Sequence, residues 1–133
     1  MSKNKGANGE RELRDLLVAW AHPVTTHLGV DSIDLQRTAA SQSRTGGYDL
    51  AGLDWLAIEV KRVETKAVKQ WWRQTLSQTG EGQLPFLAWR QNRQPWSFRT
   101  LVKCYGGAYN LTADLDVEGA KLWFQSELYR RLE

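Results

Sequence analysis

Apolar residues near the N-terminus recur at intervals of three and four, at Leu13, Leu16, Leu17 and Trp20. This spacing places them on one side of an amphipathic α-helix. Asn8 or Gly9 can cap the start of the helix. Pro23 is predicted to end it, because proline has no backbone N–H to donate.

Strand-like alternation fills much of the middle of the chain. Strands are predicted over residues 33–37, 84–90 and 96–102, and residues 48–61 are expected to form a hairpin that turns at residues 51–54. Helical spacing returns between Thr65, which can cap a helix, and Gly80, and again from about Asp116 to Leu132. The positions expected to face inward are Val68, Trp71, Trp72, Leu76 and Thr79 in the first of these helices, and Val117, Ala120, Phe124 and Leu128 in the second. This order predicts an α/β fold with a mixed central sheet flanked by helices.

The strand that ends at Lys61 carries the most informative polar residues. It reads Leu-Ala-Ile-Glu-Val-Lys over residues 56–61. Because side chains alternate between the two faces of a sheet, Glu59 and Lys61 share one face, with the small Ala57 beside them. The preceding hairpin can bring Asp49 alongside Glu59. The pattern therefore predicts two carboxylates and one ammonium group in one place.

Two carboxylates this close repel each other unless a cation lies between them, so the arrangement suits a hard divalent ion, usually Mg²⁺, with Mn²⁺ as an alternative. Such an ion can activate water for hydrolysis of a phosphodiester, and Lys61 can position that water or stabilise the developing charge. The alternative is a solvated ion pair between Glu59 and Lys61 at the end of a strand, which contributes about 0–1 kcal/mol.

Glu10 lies on the same side of the first predicted helix as Leu13 and Leu17. An acid in the first turn can simply complement the helix dipole. The functional alternative is that Glu10 reaches into the metal site from the start of the helix.

Two polar segments complete the candidate features. Residues 1–7 are expected to be a flexible N-terminus, and residues 38–47 a mobile loop of small and polar residues. Side chains of the types that donate to phosphate oxygens lie just before the loop, at Arg37, and within it, at Ser41, Ser43 and Arg44. The alternative is that the loop is a plain connector.

Length, charge and composition limit the classes of protein to which the chain can belong. The 133 residues predict a single domain, and a net charge of +3 with a pI of about 9.2 permits a nucleic-acid partner. One cysteine, Cys104, precludes an intrachain disulfide, and it does not make a structural zinc site with the two histidines. With neither a signal peptide nor an apolar stretch long enough to span a membrane, the chain is expected to be intracellular and cytoplasmic, with no membrane partner.

The quoted residues resemble a known pattern. Glu10 in an early helix, Gly47-Tyr48-Asp49, then Ile58-Glu59-Val60-Lys61, a helix and the strand Pro85-Phe86-Leu87-Ala88 resemble the PD-(D/E)xK nuclease superfamily. The order and spacing are most similar to archaeal-type Holliday junction resolvases and their phage-encoded relatives. The resemblance covers roughly the first 95 residues and implies a restriction-endonuclease-like single domain. Tyr48 replaces a proline that is frequent in the superfamily.

The resemblance implies a role for each matched residue. Asp49 and Glu59 would bind Mg²⁺, Lys61 would assist the attacking water, and Glu10 would complete the site. Arg37 matches a basic strand position, Ser41 or Ser43 a loop hydroxyl, and Gln74, with Gln70 as its rival, a glutamine on the following helix. Archaeal-type resolvases are homodimers, and the seven tryptophans of this chain would suit such an interface.

Three functions are compatible with the sequence. The first is a Mg²⁺-dependent endodeoxyribonuclease that resolves four-way junctions in branched DNA, without a small-molecule cofactor. The second keeps the chemistry but acts on linear duplex, as a nicking, repair or restriction-type nuclease. The third is a non-catalytic DNA-binding module on the same fold. Residues after about position 95 are not covered by the resemblance, and substrate choice is one role they could have.

Overall fold

The computed structural model describes residues 2–38, 49–62 and 64–133, with side chains from residue 8 onward. The described helices are α1 (Ser2–Leu28), α2 (Val68–Ser77) and α3 (Val117–Leu132). The described strands are β1 (Gln36–Arg37), β2 (Leu50–Ala51), β3 (Leu56–Arg62), β4 (Leu84–Arg90), β5 (Ser97–Lys103) and β6 (Tyr109–Leu115).

The six strands form one mixed sheet in the order in which they occur along the chain. Every neighbouring pair is antiparallel except β3 and β4, which run parallel and are connected through α2. A parallel pair needs such a crossover, whereas the antiparallel pairs need only turns. The α/β restriction-endonuclease-like fold expected from the sequence is confirmed.

Helices cover both faces of this sheet. On one face, α1 and α3 pack on each other and on the central strands, and their largest fully buried side chains include Leu13, Leu17 and Phe124. On the other face, Trp71 of α2 packs on Leu87 and Trp89 of β4. The alternation of β3 follows this division, since Leu56, Ile58 and Val60 belong to the larger cluster. Glu59 and Lys61 consequently lie on the α2 side.

The boundaries predicted for the first helix were wrong at both ends. The helix begins at Ser2, upstream of the expected cap at Asn8 or Gly9, and continues through Pro23 to Leu28. Burial explains the continuation, because Ala21, Val24 and Thr25 extend the buried stripe beyond the proline. The packing of that stripe outweighs the hydrogen bond that Pro23 cannot donate.

The second helix is shorter than predicted. Its N-cap position is Ala67 rather than Thr65, without a side-chain cap hydrogen bond, and the helix ends at Ser77, before Gly80. Trp71 and Thr75 are its buried residues, whereas Leu76 is exposed and was wrongly expected to face inward. The buried hydroxyl of Thr75 is satisfied, because it donates to the Trp71 carbonyl within the helix.

Two other segments differ from the prediction. β6 was missed, because its residues are mostly exposed at the sheet edge and lack a buried apolar alternation. The strand expected over residues 33–37 forms only at Gln36–Arg37. The third helix is confirmed, with Ala120, Phe124 and Leu128 buried and Asp116 as its N-cap.

None of the seven tryptophans is exposed. Trp20, Trp71, Trp89 and Trp96 are buried, and Trp55, Trp72 and Trp123 are partly buried against the same two clusters. Four of the tryptophans therefore fill the core of the chain, and Trp55, Trp72 and Trp123 keep part of their surface exposed. A role for tryptophans in an interface with a second copy stays a prediction. Among the described helices, none is both long and apolar enough to cross a membrane.

Candidate active site

The β2–β3 hairpin positions Asp49 at the end of β3. Leu50 pairs with Ile58, the Asp49 N–H donates to the Ile58 carbonyl over 2.7 Å, and the Val60 N–H donates to Asp49 Oδ2 over 2.8 Å. These bonds fix both the backbone and the carboxylate of Asp49 beside residues 59 and 60. The predicted approach of Asp49 to Glu59 is confirmed.

Glu59 is the most deeply buried acid of the site, with 3% of its side chain exposed. Its Oε2 lies 3.7 Å from Lys61 Nζ, so the ammonium group compensates one carboxylate oxygen. Within the described residues, the buried Oε1 has no hydrogen-bond partner. A buried acceptor without a partner is uncommon in folded proteins and calls for a ligand or an ion that completes it.

Both carboxyl groups resist ionisation. Burial raises the pKa of Glu59 to about 8, with the charge of Asp49 as the next cause, against the lowering influence of Lys61. Burial also raises the pKa of Asp49 to about 6, against the lowering influence of the Val60 N–H. pKa shifts of this size are concentrated at functional sites, where ionisable groups are buried for their chemistry despite the cost of desolvation.

Glu10 reaches the same region from α1. It is buried, and its charge raises the pKa of both Asp49 and Glu59. Its Oε1 lies 2.5 Å from Arg37 Nε, a charge-assisted contact that joins α1 to β1. Arg37 in turn lowers the pKa of Asp49. The sequence placed both residues near the site but did not predict that they bind each other.

The donor set can be tested against a divalent cation. In the part of the chain that is described, no three or more His, Cys, Asp and Glu side chains lie close enough together to hold a metal ion. Asp49 and Glu59 alone fit one, because their oxygens are hard ligands, their charges are desolvated, and no described group completes Glu59 Oε1. Glu10 is engaged by Arg37 instead.

A second charged group lies at the same end of the sheet and was not predicted. Arg62 and Arg90 occupy paired positions at the ends of the parallel strands β3 and β4. One carboxylate binds both, with Glu12 Oε1 2.9 Å from Arg62 and Oε2 2.9 Å from Arg90. No local pattern in the sequence marks this group, because it depends on the register between β3 and β4.

The other candidate residues are divided between two regions. Ser41, Ser43, Arg44 and Tyr48 lie outside the described residues, as do all residues but Thr38 of the segment 38–47 expected to be a mobile loop. Gln74 lies half-buried on α2. Among the described contacts, its side chain makes no hydrogen bond to the acids or to Lys61, whereas its carbonyl accepts from Ser77.

An acid at the start of a hairpin and an acid-x-lysine at the end of the next strand, on a mixed sheet with helices on both faces, define the PD-(D/E)xK class of nucleases. The family model described as "Phage putative PDDEXK endonuclease" matches residues 1–105. The chain belongs to this phage endonuclease family, which indicates a nuclease. No curated protein and no solved structure matches the chain.

Proposed function

We propose that the protein is a divalent-metal-dependent endodeoxyribonuclease in which Asp49 and Glu59 hold the ion and Lys61 acts on the attacking water. The observation that carries the proposal is the pair of buried carboxylates with raised pKa values, one of which has an oxygen without a partner among the described residues. A structural ion pair between Glu59 and Lys61 would not require the second acid.

Each residue then has a definite task. Asp49, fixed by the Val60 N–H, and Glu59, fixed within β3, present oxygens to the ion. When bound, a hard divalent ion polarises the scissile phosphate and lowers the pKa of water. Lys61, 3.7 Å from Glu59 Oε2, orients the water and stabilises negative charge that develops on the phosphate. Mg²⁺ is the proposed ion, and Mn²⁺ suits the same oxygens.

Glu10 is proposed to complete the site after it releases Arg37. Its support is the influence of its charge on both acids. Arg37 would then be free to bind a phosphate of the DNA, together with Ser41, Ser43, Arg44 and Gln74. A Glu10→Gln variant that cuts DNA as fast as the unmodified protein would remove Glu10 from this role.

The proposed substrate is the four-way junction of branched DNA, cut by a homodimer. Support comes from the order and spacing of the matched residues, which are most similar to those of junction resolvases. A twofold dimer also places two active sites on opposed strands, as symmetric cutting requires. Light scattering of the protein in solution tests the dimer, and a monomer that still resolves junctions would contradict it.

The decisive experiment compares cleavage of a labelled four-way junction and a matched linear duplex in Mg²⁺. We expect paired, symmetric cuts on the junction alone. Asp49→Asn and Glu59→Gln should each slow cutting by at least about 100-fold, because each removes a charge that stabilises the transition state through the ion. Asp54→Asn is the matched control, since Asp54 is an exposed acid in the turn of the same hairpin and should cut normally.

Other outcomes favour the alternatives. Equal cutting of junction and duplex would replace junction resolution by a nicking, repair or restriction-type activity on linear DNA. Tight binding without cleavage in Mg²⁺ or Mn²⁺ would indicate a DNA-binding module. Calorimetric titration of Mg²⁺ into DNA-free protein separates these cases further, because the proposal requires binding that Asp49→Asn abolishes.

A further inference from the structure

Arg62 and Arg90 form an arginine pair at the end of the sheet that carries the acids. They are register partners on adjacent parallel strands, one residue beyond Lys61 and Trp89. Adjacent strands lie about 4.8 Å apart, so two guanidinium groups at this level can reach a single anion. Both side chains are partly exposed, at 21% and 31%, and so remain accessible from solution.

Glu12 occupies the position of such an anion. Its two oxygens are divided between the two arginines, each at 2.9 Å. A phosphodiester also presents two non-bridging oxygens with a shared negative charge, and arginine binds carboxylates and phosphates with the same geometry. Glu12 therefore matches, in charge and in oxygen spacing, the group that a DNA backbone would supply.

The two arginines are positioned by groups other than Glu12. Gly9 of α1 lies against Arg62 so closely that a Cβ on residue 9 would be 2.9 Å from Arg62 Cβ. The Arg90 Nε–H donates to the Gln94 carbonyl over 2.9 Å, in the turn after β4. No described residue accepts from the buried Arg62 Nε–H. Groups other than Glu12 thus contact both arginines, and Arg62 has a donor that no described residue uses.

The charge and position of this group suit a nucleic acid. Two arginines and one glutamate leave a net positive charge, and partly exposed ion pairs of this kind stabilise a fold little. Glu59 and Arg62 are three residues apart, about 10 Å along the strand. Alternation turns Glu59 toward α2 and Arg62 toward α1, so the arginine pair lies around the end of the sheet from the acids. Each DNA strand carries one phosphate charge per roughly 3.4 Å of helix axis, so a DNA strand cut at the acids has further phosphates over the distance that separates the acids from the pair.

We propose that Arg62 and Arg90 bind a backbone phosphate of the DNA a few nucleotides from the cleaved bond, and that Glu12 occupies this phosphate site until DNA displaces it. The inference rests on the proposed nuclease function and adds the second anchoring point of its substrate. Glu12 acts as a competing internal anion, which weakens binding of any single phosphate and favours long DNA that makes several contacts.

DNA affinity without divalent metal tests this proposal, because no cleavage is then needed. Fluorescence anisotropy of a labelled junction and duplex should show that Glu12→Gln tightens binding by about three- to tenfold and steepens its salt dependence. Arg90→Ala should weaken binding by about tenfold and reduce the slope of log affinity against log salt by up to about 0.9. Arg90→Lys, which keeps the charge but not the guanidinium geometry, should bind with an affinity between those of the unmodified protein and Arg90→Ala and should leave the salt slope unchanged.

Glu127→Gln is the matched control. Glu127 is likewise a glutamate bound by two arginines, Arg130 and Arg131, but it bonds Tyr109 at the opposite end of the sheet. The Glu127→Gln variant should bind DNA with unchanged affinity. The tightening caused by Glu12→Gln should also disappear in the background of Arg90→Ala, because the site it opens is then incomplete.

Three results would overturn the proposal: unchanged or weaker binding by Glu12→Gln, equal tightening by Glu127→Gln, or a salt slope unaffected by Arg90→Ala. Thermal denaturation of each variant separates lost binding from lost folding. If Asp49→Asn still cleaves DNA while the binding results are as expected, the assigned acids are wrong and the phosphate site stands.

Discussion

Asp49 and Glu59 show how strongly burial alters a single side chain. Each would be an ordinary carboxylate at a strand end, but β3 is buried by helices on both faces, and Glu59 is nearly inaccessible. Their ionisation is therefore opposed by desolvation in both cases. This unfavourable desolvation occurs at the position where the proposed ion binds, as expected for a functional site.

The raised pKa values predict how stability depends on pH in the absence of metal. Because folding raises both values, the folded protein binds more protons than the unfolded chain between about pH 4 and the folded values of about 6 and about 8. The stabilisation is complete below about pH 4 and is lost as the pH rises through about 8. The free energy of unfolding should fall by a few kcal/mol across this range.

Denaturant unfolding in a chelator-containing buffer at about pH 5 and about pH 9 measures this fall. The side chain at position 59 carries no charge at either pH in Glu59→Gln. This variant should therefore lose most of the dependence of stability on pH and be more stable than the unmodified protein at the higher pH. Asp114 and Glu127 have lowered pKa values, so their contributions are lost at acidic pH and do not affect this window. An unmodified protein that is equally stable at both values would contradict the assigned burial.

At the level of elements, the β2–β3 hairpin determines whether the acids meet. Gly52 follows β2 with φ of +137°, and a Cβ there would lie 2.0 Å from the Asp34 carbonyl oxygen. The segment before β1 therefore packs directly on the turn that orients Asp49. Only a residue without a side chain permits both the conformation and the contact.

Gly52→Ala should consequently destabilise the protein severely. The added methyl group meets backbone atoms that cannot rotate away, and we expect a loss of about 3 kcal/mol or more. Gly82→Ala is the control, because Gly82 also has positive φ but has open space around it, and should lose only about 1–2 kcal/mol. Urea unfolding measures both. Equal losses would mean that backbone conformation alone, without the contact to Asp34, requires Gly52.

The elements also show which local rules give way to packing. Pro23 was expected to end α1, yet Val24 and Thr25 are buried beyond it, so the helix continues. β6 carries no fully buried residue and is defined by its ladder with β5. A pattern confined to neighbouring residues cannot reveal a strand that is defined by its partner.

At the level of the whole molecule, the segment after the matched family region completes the core. The family model ends at residue 105, whereas β6 and α3 follow it. Phe124 is fully buried and packs against the rings of Trp20 and Trp55. A structural role for this segment, beside any in substrate choice, follows from these contacts.

Phe124→Ala should therefore lower the free energy of unfolding by about 3–5 kcal/mol, since it leaves a cavity between α1, α3 and the sheet. Leu122→Ala on the same helix is the control, because Leu122 is 60% exposed and should change stability by less than about 0.5 kcal/mol. Thermal unfolding followed by tryptophan fluorescence measures both. Similar melting temperatures for the two variants would show that α3 is not part of the core.

The sequence by itself determined the α/β class, the strand with Glu59 and Lys61, and the approach of Asp49, because alternation and turn residues act over a few neighbouring positions. Only the tertiary structure decided the extent of α1, the contact of Glu10 with Arg37, and the arginine pair held by Glu12. These features depend on register and packing between segments far apart in the chain. Arg62 and Arg90, 28 positions apart in the sequence (90 minus 62), become neighbours only when β3 and β4 pair in parallel.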